Sequence, residues 1–537
     1  MKRIITSILV CLLFSFTACE DILQKDPPSS PSQAIFWKTK ADFKAGLSAC
    51  FSVLYDRPAS AGEILPCLDN LSDNSYCQYD ETTYGRTKTM ILGDITSYSD
   101  GFVTRMYNLC FTGIGRVHQV MGQLATYNGG DLSAAERASM TAQLKALRGF
   151  FYYNLYLCYK EVPLVTEMLT TANMYQPKAT RAAIKTQIFK DWDEAIAALP
   201  AANYYDSSML GLFTQGALKG LKARIMIFDA YNDQGVADPA QMAAVIPLLE
   251  GITGYTLNTD FRANFISRGQ VASKEIMFSV RYLTPNLTNN IDLYFGAWAT
   301  DMVTRDLVNT FECTDGLDWG VSPLTVPVDE TILSKTPGTL DANKMEFEKL
   351  FVNRDKRMRQ TVTHSGWLNF VEPDFPARVL SGTSLTNFSM MKMIAPCTQA
   401  TSPGYASVND PDIVIIRYGH ILLMIAEAEN EANGPTAKAY AAINQIRARA
   451  GQPALAPGLA KDKFRERVRR EWRVETVFEG LRYFQMKQWK LMDKINTVRD
   501  PVYKVNSVFK PAFYWWPLPQ GEIDKAAGVL IQDPAYL

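Results

Sequence analysis

SAAERASMTAQLKALRGFFYYNLYLCY, residues 133–159, decides the fold class. Ser133 suits an N-cap, and Glu136 stands three residues on, the spacing of a capping box. The run ends at Lys160-Glu161-Val162-Pro163, where the proline disfavours helix before it. Upstream, ADFKAGLSACFSVLYD (41–56) places Phe43, Leu47, Cys50, Phe51 and Leu54 at three- and four-residue steps. Phe102 to Tyr127 has the same period. Downstream, RAAIKTQIFKDWDEAIAALP (181–200) puts Ile184, Ile188, Trp192 and Ile196 on one face before Pro200 stops it. GLFTQGALKGLKARIMIFDAYND (211–233) and residues 240–251 add two more helices.

These helices come in neighbouring pairs with brief connectors. That is the economy of helical hairpins of the tetratricopeptide type, which bury a continuous core by stacking. The standard tetratricopeptide consensus is absent, so the repeats are divergent. Between 255 and 410 the helical period fades and Asn, Thr, Asp, Gly and Pro become frequent. KEIMFSVRY (274–282) is the best strand candidate there. Long loops of this kind in a compact protein carry function. From 411 helices return in RYGHILLMIAEAENEANG, TAKAYAAINQIRARAGQ and KDKFRERVRREWRVETVFEGLRYFQMKQW (461–489), the last read as one helix. The expected fold is therefore mainly α: a tetratricopeptide-like helical-hairpin superhelix with a large irregular loop-rich region and short β-strands.

The chain opens MKRIITSILVCLLFSFTACEDI. Lys2 and Arg3 precede an apolar run, Ile4 to Phe16, that is shorter than the roughly 20 residues of a membrane span. This is the pattern of a secretory signal. Phe16-Thr17-Ala18-Cys19 resembles a bacterial lipobox, whose cleavage leaves a lipid-bearing Cys19. Each buried CH₂ contributes about 0.8 kcal/mol, so several acyl chains retain a domain at a membrane. A plain signal peptide or a buried core helix are the competing readings. EDILQKDPPSSPSQ, with Pro27, Pro28 and Pro31, reads as a tether. Glu20-Asp21 resembles an export signal of surface-exposed lipoproteins. The expected division is 1–18 signal peptide, 19–34 lipidated tether, 35–254 helical repeats, 255–410 irregular region and 411–537 C-terminal helical part.

The chain has 537 residues with 55 basic and 55 acidic side chains, so no basic footprint points to nucleic acid. Of nine cysteines, Cys50, Cys110 and Cys158 lie among apolar helical residues and read as buried thiols. Cys67 and Cys77 flank a loop and are close enough in sequence to bridge, though spacing does not decide it. No C-x-x-C, H-E-x-x-H, G-x-S-x-G, P-loop or complete G-x-G-x-x-G occurs. His118, His364 and His420 are scattered; the first and last fall in helical stretches, and His364 in a loop. Glu471, Glu475 and Glu479 form a row that could be imagined as catalytic carboxylates. They read instead as partners of Arg417, Arg447, Arg449, Arg473 or Arg482, locking helices together. Arg467–Glu471 and Glu466–Arg470 stand at i,i+4, an ion-pair spacing on a helix surface.

The tail resembles the SusD/RagB family of Bacteroidetes glycan-capture lipoproteins. The matching pieces are IIRYGHILLMIAEAENEANG, INQIRARAG, VRREWRVETVFEGLRYFQMKQW, FYWWPLPQGEID and IQDPAY, in that order. Earlier pieces agree: CEDIL, ALRGFFYYNLYLCYKEVPLV, DWDEAIAALP, ALKGLKARIMIF, EIMFSV and FVNRDKRM. Two departures, Gly419-His420 and Gln485-Met486-Lys487, look structural. The resemblance implies a right-handed tetratricopeptide-like superstructure, oligosaccharide binding at the cell surface, and docking as a lid on a SusC-like TonB-dependent transporter in the outer membrane. It implies a lipid anchor at Cys19, an exterior-facing location, and no catalytic residues and no cofactor. A surface glycosidase, or a lid for non-sugar (peptide) cargo, are the alternatives.

Sugar binding needs aromatic faces and a few groups that read hydroxyls. Three loops offer both. LDNLSDNSYCQYDETTYGR (68–86) carries Asp73, Asn74, Tyr76, Tyr79 and Arg86; NNIDLYFGAWATD (289–301) carries Tyr294 and Trp298; TDGLDWG (314–320) carries Trp319. These eight are the candidate glycan contacts, in regions where the family holds its ligand. The acid-rich first loop also has the chemistry for calcium, without EF-hand spacing. Trp515-Trp516-Pro517 reads as core.

Overall fold

A computed structural model describes residues 36–55, 61–79, 87–99, 101–202, 209–291, 301–334, 344–364, 370–372, 375–378, 386–394, 410–496 and 507–537. The signal, Cys19 and the tether lie outside these residues. Helices dominate. The principal ones are α1 (Lys40–Phe51), α2 (Phe102–Thr126), α3 (Ala134–Cys158), α4 (Arg181–Ala198), α5 (Gln215–Ala230), α6 (Pro239–Glu250), α7 (Tyr418–Asn433), α8 (Ala437–Arg449), α9 (Lys461–Glu475) and α10 (Arg482–Gln488). α3 packs between α2 and α4, and α7 packs against α6 and α8, so successive helices form antiparallel hairpins stacked side by side. Among the described residues no helix is long and apolar enough to cross a membrane.

The start of α3 forms as its sequence requires. Ser133 Oγ accepts from Glu136 N at 3.3 Å, and Glu136 Oε2 accepts from Ser133 N at 3.1 Å. Such a cap stabilises a helix by about 1 kcal/mol. The later part of α3, from Leu144 to Cys158, is apolar nearly all round and almost wholly buried, as befits a helix covered on several sides. Trp192 of α4 lies against it and donates to Ala146 O at 3.2 Å.

Strands are short. β1 (Ser75–Cys77) pairs with β3 (Asp301–Val303), β2 (Ile276–Val280) with β6 (Ile413–Arg417), and β4 (Val362–His364) with β5 (Phe388–Met390), all antiparallel. The strand read at 274–282 is β2.

The 461–489 segment is not one helix. α9 stops at Glu475, Phe478 takes φ 60° and Gly480 φ 72°, and α10 begins at Arg482. The left-handed turn aims Phe478 N–H at Asp69 Oδ2, 2.7 Å away. The i,i+4 pairs do not form either. Arg467 and Arg470 both reach Glu312, at 2.5 and 2.9 Å, and Glu466 pairs with Lys463. Glu471 is itself buried and taken by Arg357 and Arg447, so Arg467 turns to the buried Glu312 that Arg470 also reaches.

The glutamate row is scaffold. Arg417, fully buried, donates to Glu275 and Glu475 at 2.7 Å and to Glu479 at 2.8 Å. Arg357 holds Asp355, Glu471 and Glu475. Arg447 links Glu471 to Glu312, and Lys392 reaches Glu479 at 2.6 Å. Burial alone would raise the Glu475 and Glu479 carboxyls. The guanidiniums of Arg449, Arg417 and Arg357 around the first, and the Arg417 guanidinium and Lys392 ammonium at the second, outweigh it and hold both well below the carboxylate range. Interior charges of this kind persist only when every one is paired.

Candidate functional site

The β1–β3 ladder positions the candidate site. Its register pairs Ser75 with Val303, Tyr76 with Met302 and Cys77 with Asp301. Antiparallel pairing means the chain leaves β1 after Cys77 at the edge where it enters β3 at Asp301. The described end of the first loop, Gln78 and Tyr79, therefore leaves the ladder at the end where Asp301, the last residue of the second, enters it.

The third loop is tied to the other end of the ladder, where Val303 pairs with Ser75 and the short helix Arg305–Thr310 follows β3. Thr304 caps that helix, accepting from Leu307 N at 3.2 Å, while its Oγ1 donates to Asp73 O at 2.8 Å. Arg305 and Arg354 lie over the half-buried Trp319 ring, 5.5 and 5.7 Å from its centre. Both are cation–π distances. The Trp319 Nε1–H is buried and has no hydrogen-bond partner among the described residues.

Arg473 of α9 binds the assembly from below. Its Nε donates to Asn74 Oδ1 at 2.9 Å, and its Nη2 to Asp73 O at 2.8 Å and Asp306 Oδ2 at 2.7 Å. Arg482 of α10 takes the Asp73 carboxylate in a fork, both bonds 2.7 Å. Burial works to raise the Asp73 carboxyl, but Arg473 and Arg482 hold it well below the usual range.

These contacts correct the sequence reading of three residues. Asp73, Asn74 and Tyr76 are buried, with 4, 0 and 5 % of their surface exposed. They are the inner strut of the loop rather than its outer face, because arginines from the distant C-terminal helices draw the polar groups inward. Tyr79 is half-buried at the loop's exit and packs on the core. Arg86, Tyr294 and Trp298 lie outside the described residues. Arg473 and Arg482, read as partners of the glutamate row, hold Asp73, Asn74 and Asp306 instead, because those polar groups reach the core-facing side of α9 and α10.

Asp69 Oδ2 accepts from Asn74 Nδ2 at 3.0 Å and from Phe478 N at 2.7 Å, its Oδ1 is buried without a hydrogen-bond partner among the described residues, and Arg482 takes both oxygens of Asp73. Among the described residues no group of three or more His, Cys, Asp or Glu side chains is arranged to hold a metal. Cys67 and Cys77 are both buried; Cys77 Sγ donates to Tyr79 O at 3.4 Å, so it is a thiol and not half of a bridge. His364 is not in a loop. It ends β4, buried and stacked on Phe347 at 5.5 Å. His420 bonds Glu479 at 2.8 Å inside the charge network, where burial lowers it to about 3. Trp516 is core as read, while Trp515 is half-buried under the Arg181 guanidinium.

Comparison with known proteins agrees with this architecture. A family model described as the SusD family matches residues 273–536, and one described as "Starch-binding associating with outer membrane" matches residues 23–227. SusD-like protein P38 of Formosa agariphila is 24% identical, with 95% of each chain covered. A SusD-like carbohydrate binding protein of Bacteroides fragilis superposes with TM-score 0.76 at 19% identity, covering 94% of this chain and all of that one. A laminarin binding SusD-like protein superposes with TM-score 0.69 at 20% identity, covering 93% and 100%. The two family models lie end to end in the order of the N-terminal hairpins and the C-terminal charge-locked helices, and together they span most of the chain; it belongs to the SusD/RagB family.

Proposed function

We propose that this chain is a non-catalytic surface lipoprotein that binds oligosaccharide or polysaccharide and passes it to a SusC-like TonB-dependent transporter. What supports the reading is the β1–β3 ladder, whose register sets the exit of the first loop at Cys77 beside the entry from the second at Asp301, with Trp319 under Arg305 two residues past its other end. Aromatic faces stack on the apolar faces of pyranose rings, and amides and carboxylates read hydroxyls. Tyr79, Arg86, Tyr294, Trp298 and Trp319 are the contacts proposed; Cys19 carries the lipid that holds the domain at the outer membrane, facing outward. The laminarin-binding relative supports a glycan as ligand class. The absence of catalysis is supported by the occupation of Glu471, Glu475 and Glu479, which leaves no free pair among them for acid–base chemistry.

Affinity electrophoresis and calorimetry on a panel of polysaccharides and mucin glycans test the proposal. Binding to at least one, lost in Trp298→Ala with melting temperature nearly unchanged, is the expected result. No binding across the panel, or reducing sugar released from a bound glycan, overturns it.

A further inference from the structure

Away from the glycan loops, α5, α7, α9 and α10 enclose a cavity of about 30 Å³. Phe228, Met424, Trp472 and Phe484 make its wall mostly apolar, and Arg224, Glu427, Gln485 and Gln488 are the polar side chains that line it. Arg224 meets only neutral partners. It donates to the Tyr153 hydroxyl and to His420 Nδ1, both at 3.1 Å, and to Ile415 O at 3.4 Å. Its Nε–H is buried and bonds nothing among the described residues. Gln485 has the complementary fault: it is 6 % exposed, and its Oε1 is buried without a donor among the described residues. Glu427 is buried too. Trp472 Nε1 donates to its Oε2 at 2.9 Å, and Trp489 Nε1 and the Tyr231 hydroxyl donate to its Oε1 at 2.9 and 2.8 Å. Each oxygen is thus an acceptor, as in a carboxylate, and among the described residues no cation forms an ion pair with it.

A buried donor or acceptor left unmade costs free energy, and an unpaired buried charge costs more. Here a cation without an acid, an acid without a cation and an amide oxygen without a donor line one space. A buried water needs roughly 10–15 Å³ and about two to four polar partners, so one or two waters fit. Water also suits the charges. Glu427 repels an anion, and Arg224 repels a cation, whereas a water accepts from one and donates to the other. An apolar guest would leave Arg224 Nε and Gln485 Oε1 as they are, and the volume is far below that of an organic-ligand pocket.

We infer that this cavity is a binding site for ordered water, which accepts from Arg224 Nε, donates to Gln485 Oε1 and a Glu427 oxygen, and so joins α5 to α7 and α10 as a water-bridged ion pair. The site is independent of the glycan loops. The test is a crystal structure of the full-length protein at a resolution that orders water, with and without a sodium bromide soak. Density should stand about 2.7–3.2 Å from Arg224 Nε or Gln485 Oε1 and from Glu427. Gln485→Met keeps the length of the side chain without its acceptor and should lose or weaken that density. A cavity without density, a peak that touches none of these groups, or an anomalous bromide peak in it overturns the inference. Thermal melts give a second reading. Arg224→Met with Glu427→Gln should lower the melting temperature by less than the sum of the single variants, the difference being about 1 °C or more. Additive losses in folded variants would show that nothing connects the two charges and would also overturn it.

Discussion

Arg482 grips Asp73 through Nε and Nη2, each bond 2.7 Å, across 409 residues of chain. Both side chains are buried, and Arg473 also faces the same carboxylate at 3.4 Å. Removing the acid would leave buried guanidiniums without compensation. Asp73→Ala is therefore expected to cost about 3–5 kcal/mol in urea unfolding. The Asp73→Ala, Arg482→Ala double variant should lose clearly less than the sum of the singles, with coupling above roughly 1 kcal/mol. Additive losses would show that the fork contributes little.

Glu479 holds Arg417, Lys392 and His420 at once. Glu479→Gln keeps the shape and removes the charge. A loss of about 3–5 kcal/mol is expected, since two interior cations lose their main partner. The sign with pH follows from the depressed carboxyl. Its contribution is present above the unfolded value and is lost only as pH falls through the much lower folded one. The wild-type advantage over Glu479→Gln should thus be undiminished from pH 8 to pH 5. A difference that vanishes by pH 5 would contradict this.

Asp69 behaves in the opposite sense. Burial, its largest influence, pushes the carboxyl up from 3.8 to about 6, against hydrogen bonds from Asn74 and Phe478 N and the nearby Lys392 and Arg482. A carboxyl raised in the folded state contributes stability that is full below its unfolded value and is lost as pH rises through about 6. Asp69→Asn should be more stable than wild type at pH 8 by roughly 1–3 kcal/mol, and the two should converge as the pH falls to about 3. Parallel pH–stability curves would rule the assignment out.

Gly480 sits at φ 72° in the turn between α9 and α10, and a Cβ there would strike the backbone carbonyl oxygen of Leu65. Backbone cannot retreat as a side chain can. Gly480→Ala is expected to destabilise by at least about 2 kcal/mol through both the φ and the clash. Circular dichroism melts of this variant beside Gly521→Ala, where a Cβ meets nothing, separate the site from a general cost of losing glycine.

The helical hairpins were legible because each carries its own signals: the Ser133–Glu136 box, the period of Ile184, Ile188 and Trp192, the stop at Pro200. The break at 476–481 was not, since Val474, Val477, Phe478, Leu481 and Phe484 keep a helical period through the turn. What imposes the turn is Asp69 and the Leu65 backbone, hundreds of residues away. The same distance hid the fate of Asp73, Asn74 and Tyr76. Polar residues in a loop-like stretch suggest exposure, and only the arrival of Arg473 and Arg482 turns them inward. The pairing of the segments at 75–77 and 301–303 rests on the register of Tyr76 against Met302, which no local pattern states.

The fork between Asp73 and Arg482 also sets an order of events. A ribosome that has made the first hairpins has yet to make α9 and α10, so the segment around residues 69–77 waits with its acids unpaired. β1 gains its ladder when β3 appears, but the buried Asp73 carboxylate before it finds Arg473 and Arg482 only near the end of synthesis. The hairpins of α2, α3 and α4 need only each other, whereas the segment around Asp73 is complete only when the C-terminal arginines close it.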